Sequence, residues 1–334
     1  MSILTQLTTR DPTTSCLRCG LCAHRCIIHA GQVGRCGAML HQAGQLRALA
    51  HGHPVVLHAD PIERKPLYHV LPGSKLLSLG TLGCNMACSF CQNWRIAHAH
   101  PDAAGEPTPP SAVLEAACAQ GCQGIAFTYN EPTIYLDYAA AIMQLAHQAG
   151  LICMFKSNGY MTTEALALLP ELTAINIDLK SFSDSFYQRI CGARLQPVLE
   201  TIAYLQQRGI WLEITTLLIP GLNDSDEELR ALTNWLAALS PTIPWHIWRF
   251  HPDHQLTQVP WTQLAHIERA IAIGREAGLH YIYTSNLPGD PHQHTACASC
   301  GTLLIERTGN RTSAMHLVGG GCAFCGAKLP GRWG

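Results

Sequence analysis

The chain has 334 residues, 47% of them hydrophobic and 13% charged, with a formal net charge of −1. That length and apolar content can bury the core of one large α/β domain or two ordinary ones, and the near-neutral balance excludes a global positive field that would recruit nucleic acid or anionic membrane. Residues 1–16, "MSILTQLTTRDPTTSC", hold no basic segment followed by an apolar one, and no apolar run reaches the ~18 residues of a membrane span, so a cytoplasmic location is expected.

In such a chain, sixteen cysteines clustered largely as C-x-x-C read as metal ligands rather than as a disulfide framework. Cys118, Cys122, Cys153 and Cys191 fall outside the clusters and are expected to be small buried hydrophobes. The pattern divides the chain into a Cys-rich N-terminal cap with a metal site (1–60), a middle (61–290) and a Cys-rich tail (291–334). In the cap, Cys16, Cys19, Cys22 and Cys26 spell C-x2-C-x2-C-x3-C, the bacterial ferredoxin run, but Ile27 stands where proline usually follows and no second half of a two-cluster ferredoxin is present.

In the middle, "LLSLGTL" (76–82), "GIAFTY" (124–129), "LICMFKSN" (151–158), "LTAINIDLK" (172–180), "WLEITTLLI" (211–219), "WHIWRF" (245–250) and "YIYTSN" (281–286) read as strands, with helical segments between most of them. "HPDAAGEPTPPS" (100–111) reads as a Pro-rich loop after the first strand. Pro132 opens and Gly150 closes one helix, and Asp224 or Ser225 can cap another. Alternating β and α implies parallel strands joined by crossovers, in a closed or partly open barrel.

Within the strands, Asn176, Asp178 and Lys180 alternate with apolar neighbours, as do Lys156 and Asn158, Glu213 and Thr215, and His246. These polar residues are expected to share a face lining a wet cavity, with Asn158, Asp178 and Lys180 at the catalytic ends of their strands. The bland alternative is a set of paired core groups, such as an Asp178–Lys180 ion pair.

Cys84, Cys88 and Cys91 follow the first strand in C-x3-C-x2-C spacing and supply no fourth thiolate. Three such ligands can hold three irons of a [4Fe–4S] cube and leave the fourth open and reactive. A three-Cys zinc site completed by His98 or His100 is the alternative. With Phe90 just before the third cysteine, the motif resembles that of the radical S-adenosylmethionine (SAM) superfamily. The resemblance implies that SAM completes the cluster and is cleaved by one electron to a 5′-deoxyadenosyl radical that abstracts hydrogen from a substrate, with an electron donor such as flavodoxin or ferredoxin. It also implies a partial (β/α)6 TIM-like barrel.

By the same resemblance, "YNEP" (129–132), with Asn130 and Glu131, lies where the family holds the SAM amino group through backbone carbonyls. "KSNGY" (156–160) and "NIDLK" (176–180) match strand ends that contact SAM, and "LIPGLND" (218–224) a motif that supports its adenine. An alternative for Asn130 and Glu131 is a turn or helix cap before Pro132. The order of "DPIERKPLYHVLPG", "GCNMACSFCQNW", "TYNEPTIY", "NIDLK", "EITTLLIPGLND" and "WHIWRFHP" resembles the radical SAM enzyme of the AmmeMemoRadiSam system, close to the pyruvate formate-lyase activating enzymes, which implies association with Memo-like and AMMECR-like proteins. Activation of a glycyl radical enzyme is the second reading. The family pattern also groups Cys19, Cys22, Cys26 and Cys36 as one set, for zinc or an auxiliary Fe–S cluster, and leaves Cys16 spare.

In the tail, Cys297 and Cys300, then Cys322 and Cys325, form two C-x-x-C knuckles, each followed by glycine. The spacing predicts a zinc-ribbon-like site. A rubredoxin-like iron site or a cluster feeding electrons is the alternative. Arg307, Arg311 and His316 are the basic candidates between the knuckles, too few to make nucleic acid an expected partner. The reading from another class is a zinc-stabilised scaffold or nucleic-acid-binding protein.

Overall fold

A computed structural model of the protein describes residues 2–99, 107–170, 172–287 and 289–333. Eight strands build the central sheet: β1 (Val56–Pro61), β2 (Lys75–Gly80), β3 (Gly124–Phe127), β4 (Ile152–Ser157), β5 (Ala174–Asp178), β6 (Trp211–Leu218), β7 (Trp245–Arg249) and β8 (Ile282–Ser285). From β2 to β8 each strand is parallel to the next in sequence order, while β1 pairs antiparallel with β2. All seven expected strands are present and the central sheet is parallel, as the βα alternation requires. The sheet stays open, because β1 and β8 are its two edges.

Helices α1 (Pro110–Ala119), α2 (Leu136–Gln148), α3 (Thr163–Ala167), α4 (Leu195–Gln207), α5 (Asp226–Leu239) and α6 (Leu264–Glu276) lie in the six crossovers. Their apolar faces and the sheet share one continuous buried core. Pro132 opens a single 3₁₀ turn ahead of α2, and Gly150 at φ +72° follows its last turn. Of the two candidate caps for α5, Ser225 takes the role, accepting from Glu228 N at 3.3 Å. Asp224 is instead engaged by Gly221 N and His266 Nδ1. The expected Pro-rich loop lies mostly outside the described residues, and Pro110 already belongs to α1.

The tail sits over the open seam. Its hairpin, β9 (Leu303–Thr308) and β10 (Arg311–Met315), and the segment after it are tied to the loop between β1 and β2 and to β8. His69 bonds Pro330 O at 2.7 Å through Nδ1 and the Tyr283 hydroxyl at 2.6 Å through Nε2, and Arg307 donates to Tyr68 O at 2.8 Å. Since a carbonyl only accepts, Nδ1 of His69 carries its proton and Nε2 accepts from Tyr283. A separate apolar cluster of Tyr68, Tyr281, Tyr283, Leu304 and Ile305 fills the joint. Arg307 is therefore buried, its guanidinium 4.1 Å from the Tyr68 ring centroid, and is not one of the basic surface groups that the sequence suggested. No helix among the described residues is long and apolar enough to cross a membrane.

Candidate active site

The C-terminal ends of the parallel strands surround a cavity of about 860 Å³, within the roughly 300–1,000 Å³ range of small-molecule sites. Cys84, Cys88, Phe90 and Cys91 reach its wall from the loop after β2, Asn130 and Glu131 from the end of β3, Lys156 and Asn158 from β4, and Asp178 and Lys180 from β5. The structure thus brings all ten central candidate residues to one space. His98 is not among the wall residues and packs against His254, and His100 lies outside the described residues.

The cysteine loop is held from several sides. Gly83 adopts φ +93°, and a Cβ there would meet Cys36 O at 2.8 Å, so the position accepts glycine alone. Ala87 N and Ser89 N donate to Cys191 O and Ile190 O, each at 2.9 Å. Asn130 bridges the strand ends: its Oδ1 accepts from Thr81 N, and its Nδ2 donates to Thr81 Oγ1 and Gly83 O. Asn158 Nδ2 donates to Asn85 Oδ1 at 2.8 Å and lies 3.8 Å from Cys84 Sγ.

Glu131 is almost wholly buried and fully used. Its carboxylate accepts from Thr133 N and Oγ1, Ser157 Oγ and Asn158 N, the last two at 2.8 Å. The side chains of Asn130 and Glu131 therefore scaffold the loops, and the cap reading of Glu131 is part of what the structure contains. Just before them Tyr129 adopts φ +70° while Asn130 N bonds Thr128 O at 2.9 Å, a strained γ-turn. It is pinned by Tyr129 OH donating to Asp60 at 2.8 Å and by Asn93 Nδ2 donating to Tyr129 O at 2.7 Å. The sequence gives no sign of this turn, since no glycine marks it.

On the opposite wall Asp178 is paired with both Lys156 and Lys180, the latter at 3.0 Å. Burial pushes Asp178 up, but the two ammonium groups outweigh it and hold the carboxyl at about 2. Burial lowers Lys156, whereas Asp178 and Cys88 keep Lys180 well above the ordinary lysine range despite its burial. The ion pair and the cavity lining coexist, so the two readings of this face are not exclusive.

Glu213 and His246 do not reach the cavity wall. They are fully buried, with His246 Nε2 at 2.6 Å from Glu213 Oε2, and Glu213 also accepts from Tyr68 N and His69 N. Residues 66–69 run beneath the lower half of the strands and cover that face, a closure that strand alternation cannot reveal. Nor does Asn223 of "LIPGLND" reach the cavity: it accepts from Ile219 N and donates to Leu217 O within its own turn and to Lys180 O at the end of β5, and Leu217 is the neighbour that lines the wall. Among the unclustered cysteines Cys122, Cys153 and Cys191 are buried, but Cys118 is exposed. Cys191 lies against Cys88, and its hydrogen-bonded thiol lowers the pKa of Cys88.

In the tail, Cys297, Cys300, Cys322 and Cys325 have sulfurs all within 4.8 Å of one another. The two knuckles are alike: Gly301 N bonds Cys297 O and Gly326 N bonds Cys322 O, each at 2.9 Å, with both glycines in the left-handed region.

The description of the radical SAM superfamily matches residues 79–233, which span the cysteine loop and the next four strands. Uncharacterized protein MJ0808 of Methanocaldococcus jannaschii is 38% identical over 317 residues, covering 94% of this chain and 95% of that one. A pyruvate formate-lyase-activating enzyme of Streptococcus mutans is 24% identical over 198 residues, 54% of this chain and 72% of that one. A radical SAM methyltransferase from Sphaerobacter thermophilus has the same fold, with a TM-score of 0.50 at 16% identity over 68% of this chain and 70% of that one. With its three-cysteine loop at the mouth of an open parallel barrel and this family match, the chain belongs to the radical SAM superfamily.

Proposed function

We propose that the protein is a cytosolic radical SAM enzyme in which Cys84, Cys88 and Cys91 hold three irons of a [4Fe–4S] cluster and SAM occupies the fourth. One observation carries this reading: three thiols without a fourth on the wall of a single cavity, facing a cluster of part-buried charges. The residues fit the group, because thiolates are the ligands such cubes take. When bound, the cluster supplies the electron that cleaves SAM to methionine and a 5′-deoxyadenosyl radical.

The chain's own part is positioning and exclusion. Lys156 and Lys180 against the single carboxylate of Asp178 leave one net positive charge on the wall, which suits the carboxylate of SAM. Met86, Phe90, Leu217 and Trp248 make the intervening surface apolar and keep water from a reactive carbon. Asn130 and Glu131 hold the strand ends at fixed spacing, leaving backbone carbonyls to meet the amino group. Cys297, Cys300, Cys322 and Cys325 hold a structural zinc, and Cys19, Cys22, Cys26 and Cys36 form a further metal site.

The motif order supports a role in the AmmeMemoRadiSam system, with Memo-like and AMMECR-like proteins as partners and flavodoxin or ferredoxin as reductant. The similarity to activating enzymes favours glycyl radical formation as the second reading. Anaerobic reconstitution followed by EPR of the reduced protein tests the central claim. A cluster signal that shifts on adding SAM, with 5′-deoxyadenosine formed and lost in Cys88→Ala, is the expected result; zinc alone and no response to SAM would overturn it.

A further inference from the structure

The cavity extends well beyond the residues that face the cysteine loop. Its wall continues onto Leu217, Trp248 and Ser285, which stand in one row across β6, β7 and β8, and onto Glu63 and the hairpin tip Thr308–Asn310. Two of the buried polar side-chain atoms that lack a hydrogen-bond partner belong to this wall: Glu63 Oε2, an acceptor, and Trp248 Nε1, a donor. An unmade bond at a buried polar atom is destabilising, so such atoms mark places where a group from outside the chain completes the bond.

Glu63 is 2% exposed. Its Oε1 accepts from Gly73 N and Thr312 Oγ1, each at 2.7 Å, which fixes the carboxylate in place. The two cations beside it in the chain are spent elsewhere: Arg64 and Lys65 both bond Asp60, at 2.9 Å and 2.8 Å. Oε2 is therefore a firmly held acceptor whose complement is a cationic nitrogen, since charge-assisted bonds are the strong ones.

That nitrogen is not the amino group of SAM. Glu63 follows Pro61, which pairs with Lys75 at the start of β2, whereas the cysteine loop leaves the other end of that strand, after Gly80. The two ends are on the order of 15 Å apart, and SAM would be anchored at the cysteine end. Trp248 stands beside the Lys156–Asp178 pair, its ring centroid 5.7 Å from Lys156 Nζ, and its N–H takes a carbonyl or carboxylate oxygen.

We propose that this half of the cavity is the substrate subsite, and that it takes a small molecule with a primary ammonium or guanidinium group, received by Glu63 Oε2, and a carbonyl or carboxylate oxygen, received by Trp248 Nε1. Its use as a substrate subsite rests on the proposed radical SAM reading; the ligand chemistry does not. Glu63 Oε2 is closed to solvent, and the adjacent wall that yields is the hairpin tip, whose Thr308, Gly309 and Asn310 are all exposed and lie close in sequence to Thr312. With both ends held, the carbons between them face the lumen, where a hydrogen atom would be abstracted.

The test is calorimetric binding to the anaerobically reconstituted full chain, with ω-amino amides of increasing chain length, the matching ω-hydroxy amides and plain alkylamines as probes. In the wild type the best amino amide should bind about tenfold more tightly than its hydroxy counterpart, the lower range for a bond to a charged group, and more tightly than the alkylamine. Glu63→Gln keeps an oxygen for Gly73 and Thr312 and sets a donor where Oε2 stood, so the preference for the amine should vanish. Trp248→Phe keeps a ring and should erase the advantage of the amide over the alkylamine while leaving the preference for the amine. Equal binding of amino and hydroxy amides to the wild type, expected if only a buried water meets Oε2, overturns the subsite and needs no variant to fold; so does a failure of every probe to bind. An amine preference that survives Glu63→Gln overturns it as well. None of these readings involves SAM, so absence of 5′-deoxyadenosine formation in the wild type would sink the radical SAM reading while leaving the ligand chemistry of the pocket standing.

Discussion

Glu131 Oε2 accepts the backbone N–H of Asn158 at 2.8 Å, joining the end of β3 to the end of β4 beneath the cysteine loop. A second oxygen takes Ser157 Oγ at the same distance, so the carboxylate faces donors on every side. Glu131→Gln turns an amide donor against one of these donors. It should destabilise the fold by about 1–3 kcal/mol, the penalty of a buried mismatched polar group, read as a lowered urea midpoint with an unchanged m-value.

Asp60 is a buried acid on β1, bonded to Lys65 Nζ at 2.8 Å, Arg64 at 2.9 Å and Tyr129 OH at 2.8 Å. Burial would raise its pKa, but these partners dominate and lower it from 3.8 to about 2. A depressed carboxyl contributes its stability above the unfolded value and loses it as pH falls through the folded one. Asp60→Asn should therefore cost about 2 kcal/mol at pH 7. The gap between variant and wild type should close between about pH 4 and pH 2 in acid-unfolding curves.

His69 behaves oppositely in charge and alike in sign. Burial lowers it from 6.5 to about 4, so the folded state holds it neutral while the unfolded state protonates. Its contribution is complete above pH 6.5 and fades as pH falls toward 4. Stability should fall by about 2 kcal/mol between pH 7 and pH 5 from this residue, and His69→Gln should flatten that part of the thermal-melt profile.

On the proposed tail zinc site, Cys322→Ser or chelation should remove one metal and loosen the tail over Tyr68, Tyr281 and Tyr283. Near-UV circular dichroism should then lose tyrosine signal while far-UV intensity from the α/β sheet persists. Equal loss of both would mean the tail and barrel unfold together.

The seven parallel strands were legible because each is a short apolar run bounded by breakers, and the cysteine loop because its spacing is local. β1 was missed: it is an edge strand with exposed His58 and Leu57 and a terminal proline, so neither alternation nor a continuous apolar run marks it. Alternation placed Asp178 and Glu213 on polar faces correctly, but which end of such a face is capped depends on residues 66–69, far away in sequence. Arg307 looked like a surface base for the same reason, its aromatic partner Tyr68 being 239 residues away.

Thr308, Gly309 and Asn310, the tip of the tail hairpin, line the same cavity as the cysteine loop. During synthesis these residues leave the ribosome after every strand of the barrel, so the reaction vessel lacks part of its wall until translation has passed them. On the proposed zinc and cluster assignments, a cell starved of zinc would accumulate chains that carry iron yet cannot enclose a radical, and a shortage of one metal would register as a failure in the chemistry of another.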